Sequence, residues 1–77
     1  MAAQTSVDSN AMLLELEQLE RREKEVSALR RKLHDRLDSF PNDVTAAHER
    51  QVSDQRRQLH RRIDVLRAEL RLLSRRP

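Results

Sequence analysis

Apolar residues recur along the chain at alternating steps of four and three, which is the spacing of a coiled-coil seam. In the first half of the chain the seam residues are Met12, Leu16, Leu19, Val26, Leu33, Leu37 and Phe40. In the second half they are Val52, Leu59, Ile63, Leu66, Leu70 and Leu73. Each set falls on one side of a helix with about 3.6 residues per turn. The pattern therefore predicts two long amphipathic helices.

One break separates the two helices. Pro41 stops the first helix, and Asn42 or Asp43 can cap the second. Because the connection is short, the helices are expected to lie antiparallel. The predicted fold is all-α, an antiparallel two-helix coiled-coil hairpin with helix 1 at about 9–40, a turn at 41–43 and helix 2 at about 43–75.

The first eight residues do not follow this pattern. The stretch MAAQTSVD is small, polar and aperiodic, and it is predicted to form a flexible, disordered N-terminal tail at 1–8. The hairpin at 9–77 is then the single domain of the chain.

Composition limits what such a chain can do. It has 77 residues, 38% of them charged, with no Gly, Trp, Tyr or Cys and a single Phe. A chain this short and polar cannot build a thick core, so helix-on-helix packing must stabilise it, reinforced by a partner or an oligomer. The net charge of +3 suits an anionic partner. With no apolar run for a membrane span or signal peptide, the expected location is the cytoplasm.

Charged residues interrupt the seam at matching places in the two helices. Glu23 and Arg30 stand where apolar side chains belong in helix 1, and Glu49 and Arg56 do so in helix 2. An unpaired charge at such a position is costly. These residues belong to a repeat with a constant offset of 26 positions, in which each copy reads E-x3-S-x2-R-x3-H-x3-D. The ten repeat residues are Glu23, Ser27, Arg30, His34, Asp38, Glu49, Ser53, Arg56, His60 and Asp64.

Folding the hairpin relates the two polar stripes by a pseudo-twofold axis. Residues that face each other are expected to have numbers that sum to about 87. The facing groups are then Arg30 with Arg56 and Arg57, His34 with Ser53, Glu23 with Asp64, and Asp38 with Glu49. Since like charges would face each other, the empty seam is expected to repel itself and to complement a twofold-symmetric anionic ligand. A nucleotide dimer with self-stacked guanines has this chemistry, because arginine reads guanine or phosphate and carboxylates accept from guanine.

Each stripe resembles the E-x3-S-x2-R-x3-Q-x3-D signature of the RsiG family of anti-sigma factors, with His34 and His60 in place of Gln. Together the two copies cover about half of the chain. The resemblance implies an antiparallel coiled coil that binds cyclic di-GMP as a regulatory ligand, with two cyclic di-GMP molecules per hairpin. In that state such proteins sequester a sigma factor of the WhiG or FliA type.

The resemblance also implies a role for each repeat residue. Arg30 and Arg56 would contact guanine and phosphate, and Asp38 and Asp64 would accept from the guanine donors. The remaining base and phosphate groups would be contacted by Glu23, Ser27, Glu49 and Ser53. Two motifs in one chain imply a complete site in a monomeric hairpin, with a homodimer left open.

The histidines are the departure from the family pattern. They can donate a hydrogen bond as Gln does, or they can protonate against a phosphate, in which case affinity would rise below neutral pH. A zinc site shared by His34 and His60 is not expected, because their separation along the hairpin is roughly 10 Å.

Two other classes of function remain open. The chain could be a structural or oligomerising coiled coil without a ligand, or an arginine-rich hairpin that binds nucleic acid without base preference. Enzymatic activity is not expected, since the paired acids line a seam and no activated nucleophile is recognisable. A membrane partner and direct DNA binding are not expected either.

Overall fold

The computed structural model describes the backbone of residues 2–75 and the side chains of residues 9–75. Two helices, α1 (Ala2–Ser39) and α2 (Asp43–Ser74), pack against each other along their length. The result is a rod of 57 × 15 × 14 Å. The predicted all-α antiparallel hairpin is confirmed. The helical backbone of α1 begins ahead of the start predicted near residue 9, and the side chains of the predicted tail lie outside the described residues.

The turn is built by the residue that sequence reasoning assigned to it. Asn42 is the N-cap of α2, with an extended backbone, and its side chain accepts a hydrogen bond from the Thr45 backbone N–H at 2.8 Å. The same amide donates to the Phe40 carbonyl at 2.9 Å. Asp43 occupies the first turn of α2, where a carboxylate favours the positive end of the helix dipole. The cap therefore fixes both the end of α1 and the start of α2.

The core is a single row of side chains between the helices. Val26, Leu33 and Val52 are buried together, with Leu59 partly buried against them. Ile63 and Leu66 continue the row towards the open end, and Leu66 retains 1% of its surface. All of these are seam residues of the predicted pattern. Burying them is what holds the helices together, since a hairpin this thin has no second layer.

Phe40 is the seam residue for which the prediction is wrong. It follows the last residue of α1 and its side chain is 78% exposed. The periodicity continued for one step beyond the helix because Pro41, which ends the helical run, comes one residue later. Phe40 therefore lies at the turn and contributes nothing to the seam.

Ion pairs flank the core near the open end. Arg62 makes a two-pronged contact with Glu15 at 2.8 and 3.0 Å, and Arg67 lies 3.6 Å from Glu20. Only repeat residues were paired from the sequence, and these four residues lie outside the repeat. Within residues 2–75 neither helix has a segment that is long and apolar enough to cross a membrane.

Candidate functional site

The two repeat stripes lie on the same face of the hairpin and contact each other across the seam. Hydrogen bonds join residues of α1 to residues of α2 in both directions. Within each helix, Glu, Ser and Arg occupy successive turns, because spacings of four and three residues return to the same side of an α-helix. The Glu, Ser, Arg and His residues of both copies are thus linked in one network. We call the surface that carries the ten repeat residues the polar face.

Each helix first organises its own stripe. The Ser27 hydroxyl donates to the Glu23 carboxylate at 2.7 Å, and the Ser53 hydroxyl donates to the Glu49 carboxylate at 2.6 Å. Both bonds join residues four apart, which are neighbours on a helix surface. The serines therefore orient the two carboxylates before any contact between the helices is considered.

The arginines then connect the helices. The Arg30 Nε donates to the Ser53 hydroxyl at 3.2 Å, and the Arg56 Nε donates to the Ser27 hydroxyl at 3.1 Å. Each Nε also lies 3.7 Å from the glutamate that the serine contacts, so Arg30 pairs with Glu49 and Arg56 pairs with Glu23. Each serine accepts from one arginine and donates to one glutamate, which uses its single O–H donor and one of its two lone pairs.

The histidines close the same network from its outer side. The His34 Nε2 lies 2.9 Å from Glu49 Oε1, and the His60 Nε2 lies 2.9 Å from Glu23 Oε1. Each glutamate thus has a serine on its own helix and a histidine and an arginine on the other. The contacts of one repeat are reproduced in the other almost without change, so the pseudo-twofold symmetry predicted from the repeat is present in the side chains.

Like groups do not face like in this network, and that part of the sequence prediction is wrong. Arg30 contacts Ser53 and Glu49 rather than Arg56. His34 contacts Glu49 instead of Ser53, and the Ser53 hydroxyl accepts a hydrogen bond from Arg30. The physical reason is that long side chains reach towards opposite charges about one helical turn away instead of meeting the residue at their own level. Without a ligand, the charged seam side chains of the two helices therefore attract one another.

The predicted proximity of Glu23 to Asp64 is confirmed. Both residues line a surface cavity of about 200 Å³ at the end of the polar face nearer the open end of the hairpin. The complete lining is Glu20, Glu23, Lys24, His60, Ile63, Asp64 and Arg67. Neither Glu20 nor Arg67 was singled out from the sequence, because both lie outside the repeated motif.

The electrostatics of the two glutamates follow from these contacts. The pKa of Glu23 is lowered from its ordinary 4.5, chiefly by the hydrogen bonds from Ser27 and His60. The pKa of Glu49 is lowered from the same ordinary value, chiefly by the hydrogen bond from Ser53, against partial desolvation that raises it. Both carboxylates are therefore ionised at neutral pH and serve as acceptors.

The glutamates of each stripe are less exposed than its histidine and aspartate. The side chains of Glu23 and Glu49 are 23% and 17% exposed, whereas those of His34 and His60 are 50% and 46% exposed. Asp38 and Asp64 are exposed, and among residues 9–75 neither has a hydrogen-bond or ion-pair partner. The polar face thus has a self-contained inner part and an outer edge whose carboxylates are available to a ligand.

The arginines also have unused donors. Arg30 and Arg56 form hydrogen bonds only through Nε within the described part of the chain, which leaves their terminal nitrogens without a protein partner there. Their side chains are 38% and 37% exposed. Two guanidinium groups and two carboxylates, related by a pseudo-twofold axis, are the groups that can bind a ligand from this face.

No family model matches the chain, and neither a curated protein nor a solved structure matches it. Among the described residues, no group of three or more His, Asp or Glu side chains is arranged to hold a metal ion. The chemistry of the polar face is therefore argued from its own residues.

Proposed function

We propose that this protein is a cyclic di-GMP-responsive anti-sigma factor, a binding protein and not an enzyme, that acts in the cytoplasm. The polar face would bind a dimer of cyclic di-GMP, and the liganded hairpin would sequester a sigma factor of the WhiG or FliA type. The partner assignment rests on the resemblance of both stripes to the RsiG signature. The ligand assignment rests on that resemblance together with the arrangement of the side chains.

One observation carries the proposal: the two copies of the motif lie on one face in the same pseudo-twofold arrangement. Cyclic di-GMP has two guanines and two phosphates, so a dimer of it repeats each recognition element. Arg30 and Arg56 offer unused N–H donors for guanine O6 and N7 or for phosphate. Asp38 and Asp64 offer exposed acceptors for the guanine N–H donors.

The internal network changes the expected mechanism of the switch. Because the empty seam is closed by complementary contacts, the ligand does not relieve repulsion. It exchanges partners instead, with its phosphates competing with Glu23 and Glu49 for the arginines and histidines. The polar face then presents different groups with ligand bound than without it. The sigma factor would bind only to the surface that the ligand and the hairpin form together.

A second function is favoured by the same network. Since Glu, Ser, Arg and His of the seam satisfy one another, they would serve equally in a structural coiled coil that uses polar contacts across its seam to fix its register. This alternative requires no ligand. It also gives no reason for the free outer carboxylates Asp38 and Asp64 to recur at the same place in both repeats.

Calorimetric titration of the full chain with cyclic di-GMP separates the two functions. We expect about two cyclic di-GMP molecules to bind per hairpin, with no comparable binding of GTP or cyclic di-AMP. The Arg30→Ala/Arg56→Ala variant should lose this binding. Its matched control is Arg31→Ala/Arg57→Ala, which removes the same charge from the neighbouring, exposed, repeat-related positions and should bind normally.

Different results identify the other classes. Absence of binding in the wild type, with the fold intact by circular dichroism, would favour the structural coiled coil. Equal loss in both double variants, with steep salt dependence and no preference for guanine, would indicate non-specific attraction of polyanions. The sigma factor is tested next, by asking whether the purified hairpin retains a WhiG-type sigma factor only when cyclic di-GMP is present.

A further inference from the structure

The two ends of the polar face are not equivalent, although the motif repeats perfectly. The open-end half-site contains Glu23, His60 and Asp64, and the turn half-site contains their repeat partners Glu49, His34 and Asp38. The motif by itself makes the two half-sites identical. Their difference comes from the residues around them.

The cavity at the open-end half-site shows where the repeat breaks down. Two of its lining residues outside the motif, Lys24 and Ile63, have chemically similar partners 26 positions away, Arg50 and Leu37. The other two do not. Glu20 corresponds to Ala46, and Arg67 corresponds to Pro41. The open-end half-site therefore has one additional guanidinium and one additional carboxylate.

The turn cannot supply an equivalent of Arg67. Helix α1 ends at Ser39, and Pro41 lies in the connection, so no side chain projects from a further helical turn at that place. At the open end, α2 continues to Ser74, which leaves room for one more turn beyond Asp64. The inequality is thus built into the hairpin, because one half-site borders the turn and the other borders continuous helix.

Arg67 is free to bind a ligand. Its NH2 lies 3.6 Å from Glu20, which is longer than a hydrogen bond, and its side chain is 53% exposed. Within the described residues its guanidinium forms no hydrogen bond, so the planar set of N–H donors that suits a phosphate or guanine remains available. The cavity of about 200 Å³ is smaller than a typical pocket of roughly 300 Å³ or more, so it would hold one part of a nucleotide.

We propose that Arg67 is a specificity-determining residue that makes the open-end half-site bind the anionic nucleotide more tightly than the turn half-site. Glu20 opposes it, since the carboxylate competes with the ligand for the same guanidinium. Ligand occupies the open-end half-site first and the turn half-site second. This inference rests on the proposed function, because it assigns an order to the two halves of that site.

The three histidines allow the two half-sites to be observed separately. His60 reports on the open-end half-site, His34 reports on the turn half-site, and His48 belongs to neither motif and serves as an internal reference. We would titrate the full chain with cyclic di-GMP and follow the imidazole resonances by NMR. The His60 signal should reach half-saturation at a concentration roughly three- to tenfold lower than the His34 signal, as expected for one charge-assisted contact.

Two substitutions with opposite effects test the role of Arg67. Arg67→Ala should raise the half-saturation concentration for His60 by roughly three- to tenfold and leave that for His34 nearly unchanged. Glu20→Ala should lower the half-saturation concentration for His60, because no carboxylate then competes with the ligand for Arg67. The control is Arg61→Ala, which removes the same charge from an exposed position of α2 that does not line the cavity and should leave both half-saturation concentrations unchanged.

The outcomes separate this inference from the proposed function. Simultaneous saturation of both histidines in the wild type, or an unchanged order in Arg67→Ala, would overturn the inference while leaving cyclic di-GMP binding intact. An absence of any shift at His34 and His60 would overturn the proposed function and the inference with it. Circular dichroism of each variant confirms that the hairpin is folded, which the loose Arg67–Glu20 contact should not affect.

Discussion

The seam of this hairpin has an apolar part and a polar part, and the two are built for different purposes. Towards the open end, Ile63 and Leu66 are buried and 5% and 1% exposed. In the middle, Arg30 and Arg56 occupy seam positions at 38% and 37% exposure and are held by serine and glutamate. We expect apolar side chains at the middle positions to stabilise the hairpin at least as much.

This difference shows where stability has been given up. A half-exposed polar network on average contributes little net stability, because the contacts it gains are offset by the water contacts it loses. Its repetition at equivalent places in both helices therefore needs a reason other than stability. Ligand recognition is one such reason and the control of register is another, and the experiments below distinguish the contributions of the two parts.

The largest effect should come from the apolar part. Leu66→Ala removes a side chain that is 1% exposed, and we expect the free energy of unfolding to fall by about 2–5 kcal/mol. Urea unfolding followed by circular dichroism measures this. The control Leu72→Ala alters a side chain that is 63% exposed and should change the free energy very little. Equal losses in both variants would mean that the seam is not where the helices hold together.

The polar part should respond in the opposite direction. Replacing both seam arginines, Arg30→Leu/Arg56→Leu, extends the apolar row, and we expect unfolding free energy to stay the same or rise by about 1–4 kcal/mol. Cyclic di-GMP binding should fall by roughly 100-fold or more, since two charge-assisted contacts are lost. Combined urea unfolding and calorimetry test both expectations. A large destabilisation would show that the arginine contacts hold the hairpin together, which favours the structural coiled coil.

Ligand should stabilise the hairpin through the polar part alone. A ligand at 100 times its dissociation constant adds about 2.7 kcal/mol to the free energy of unfolding if it binds only the folded state. Cyclic di-GMP should therefore raise the melting temperature of the wild type and of Leu66→Ala, and GTP should raise neither. A rise of equal size in Arg30→Leu/Arg56→Leu would place the binding site somewhere other than the polar face.

Acid should weaken the polar part before the apolar part. The pKa values of Glu23 and Glu49 are lower in the folded chain than their ordinary 4.5, so the stability they contribute is fully present above about 4.5. It is lost as pH falls through their lower folded values. Urea unfolding between neutral pH and pH 3 should show this loss, and Glu23→Gln/Glu49→Gln should reduce it. The control Glu25→Gln/Glu69→Gln changes two exposed carboxylates and should keep the wild-type pH dependence.

The smallest effect should come from the ion pair between Glu15 and Arg62. The contacts are short, at 2.8 and 3.0 Å, but the two side chains are 35% and 53% exposed. Arg62→Ala should lower the free energy of unfolding only slightly, and less so at high salt, because water and salt screen exposed ion pairs. Thermal unfolding at low and high salt measures the loss. A loss as large as that of Leu66→Ala would show that this pair stabilises the open end more than its exposure indicates.

Most of the fold could be predicted from the sequence, because local signals determine it. The four-and-three spacing of apolar residues defines both helices, and Pro41 and Asn42 define the turn between them. The error at Phe40 has the same origin, since periodicity continues past the residue where the helix stops. The candidate site was predicted as a set of ten residues, and the Glu, Ser, Arg and His residues of both copies contact one another across the seam. Their role in binding a ligand stays a prediction.

The pairing within the site could not be predicted in the same way. Whether Arg30 meets Arg56 or Ser53 depends on differences of about one helical turn between the two helices and on which way long side chains extend. Glu20 and Arg67 were missed for a related reason, since they belong to no motif and enter the site only through the cavity they share with Glu23 and Asp64.

The sequence by itself determined the two helices, their antiparallel return and the identity of the repeated polar residues, because each depends on spacing along one helix or on a single turn. Only the tertiary structure decided that the seam charges attract one another and that the two half-sites differ. Both depend on contacts between residues distant in the chain, which the packing of Val26, Leu33 and Val52 brings into register. The repeat made the polar face symmetric, and the turn made its two ends unequal.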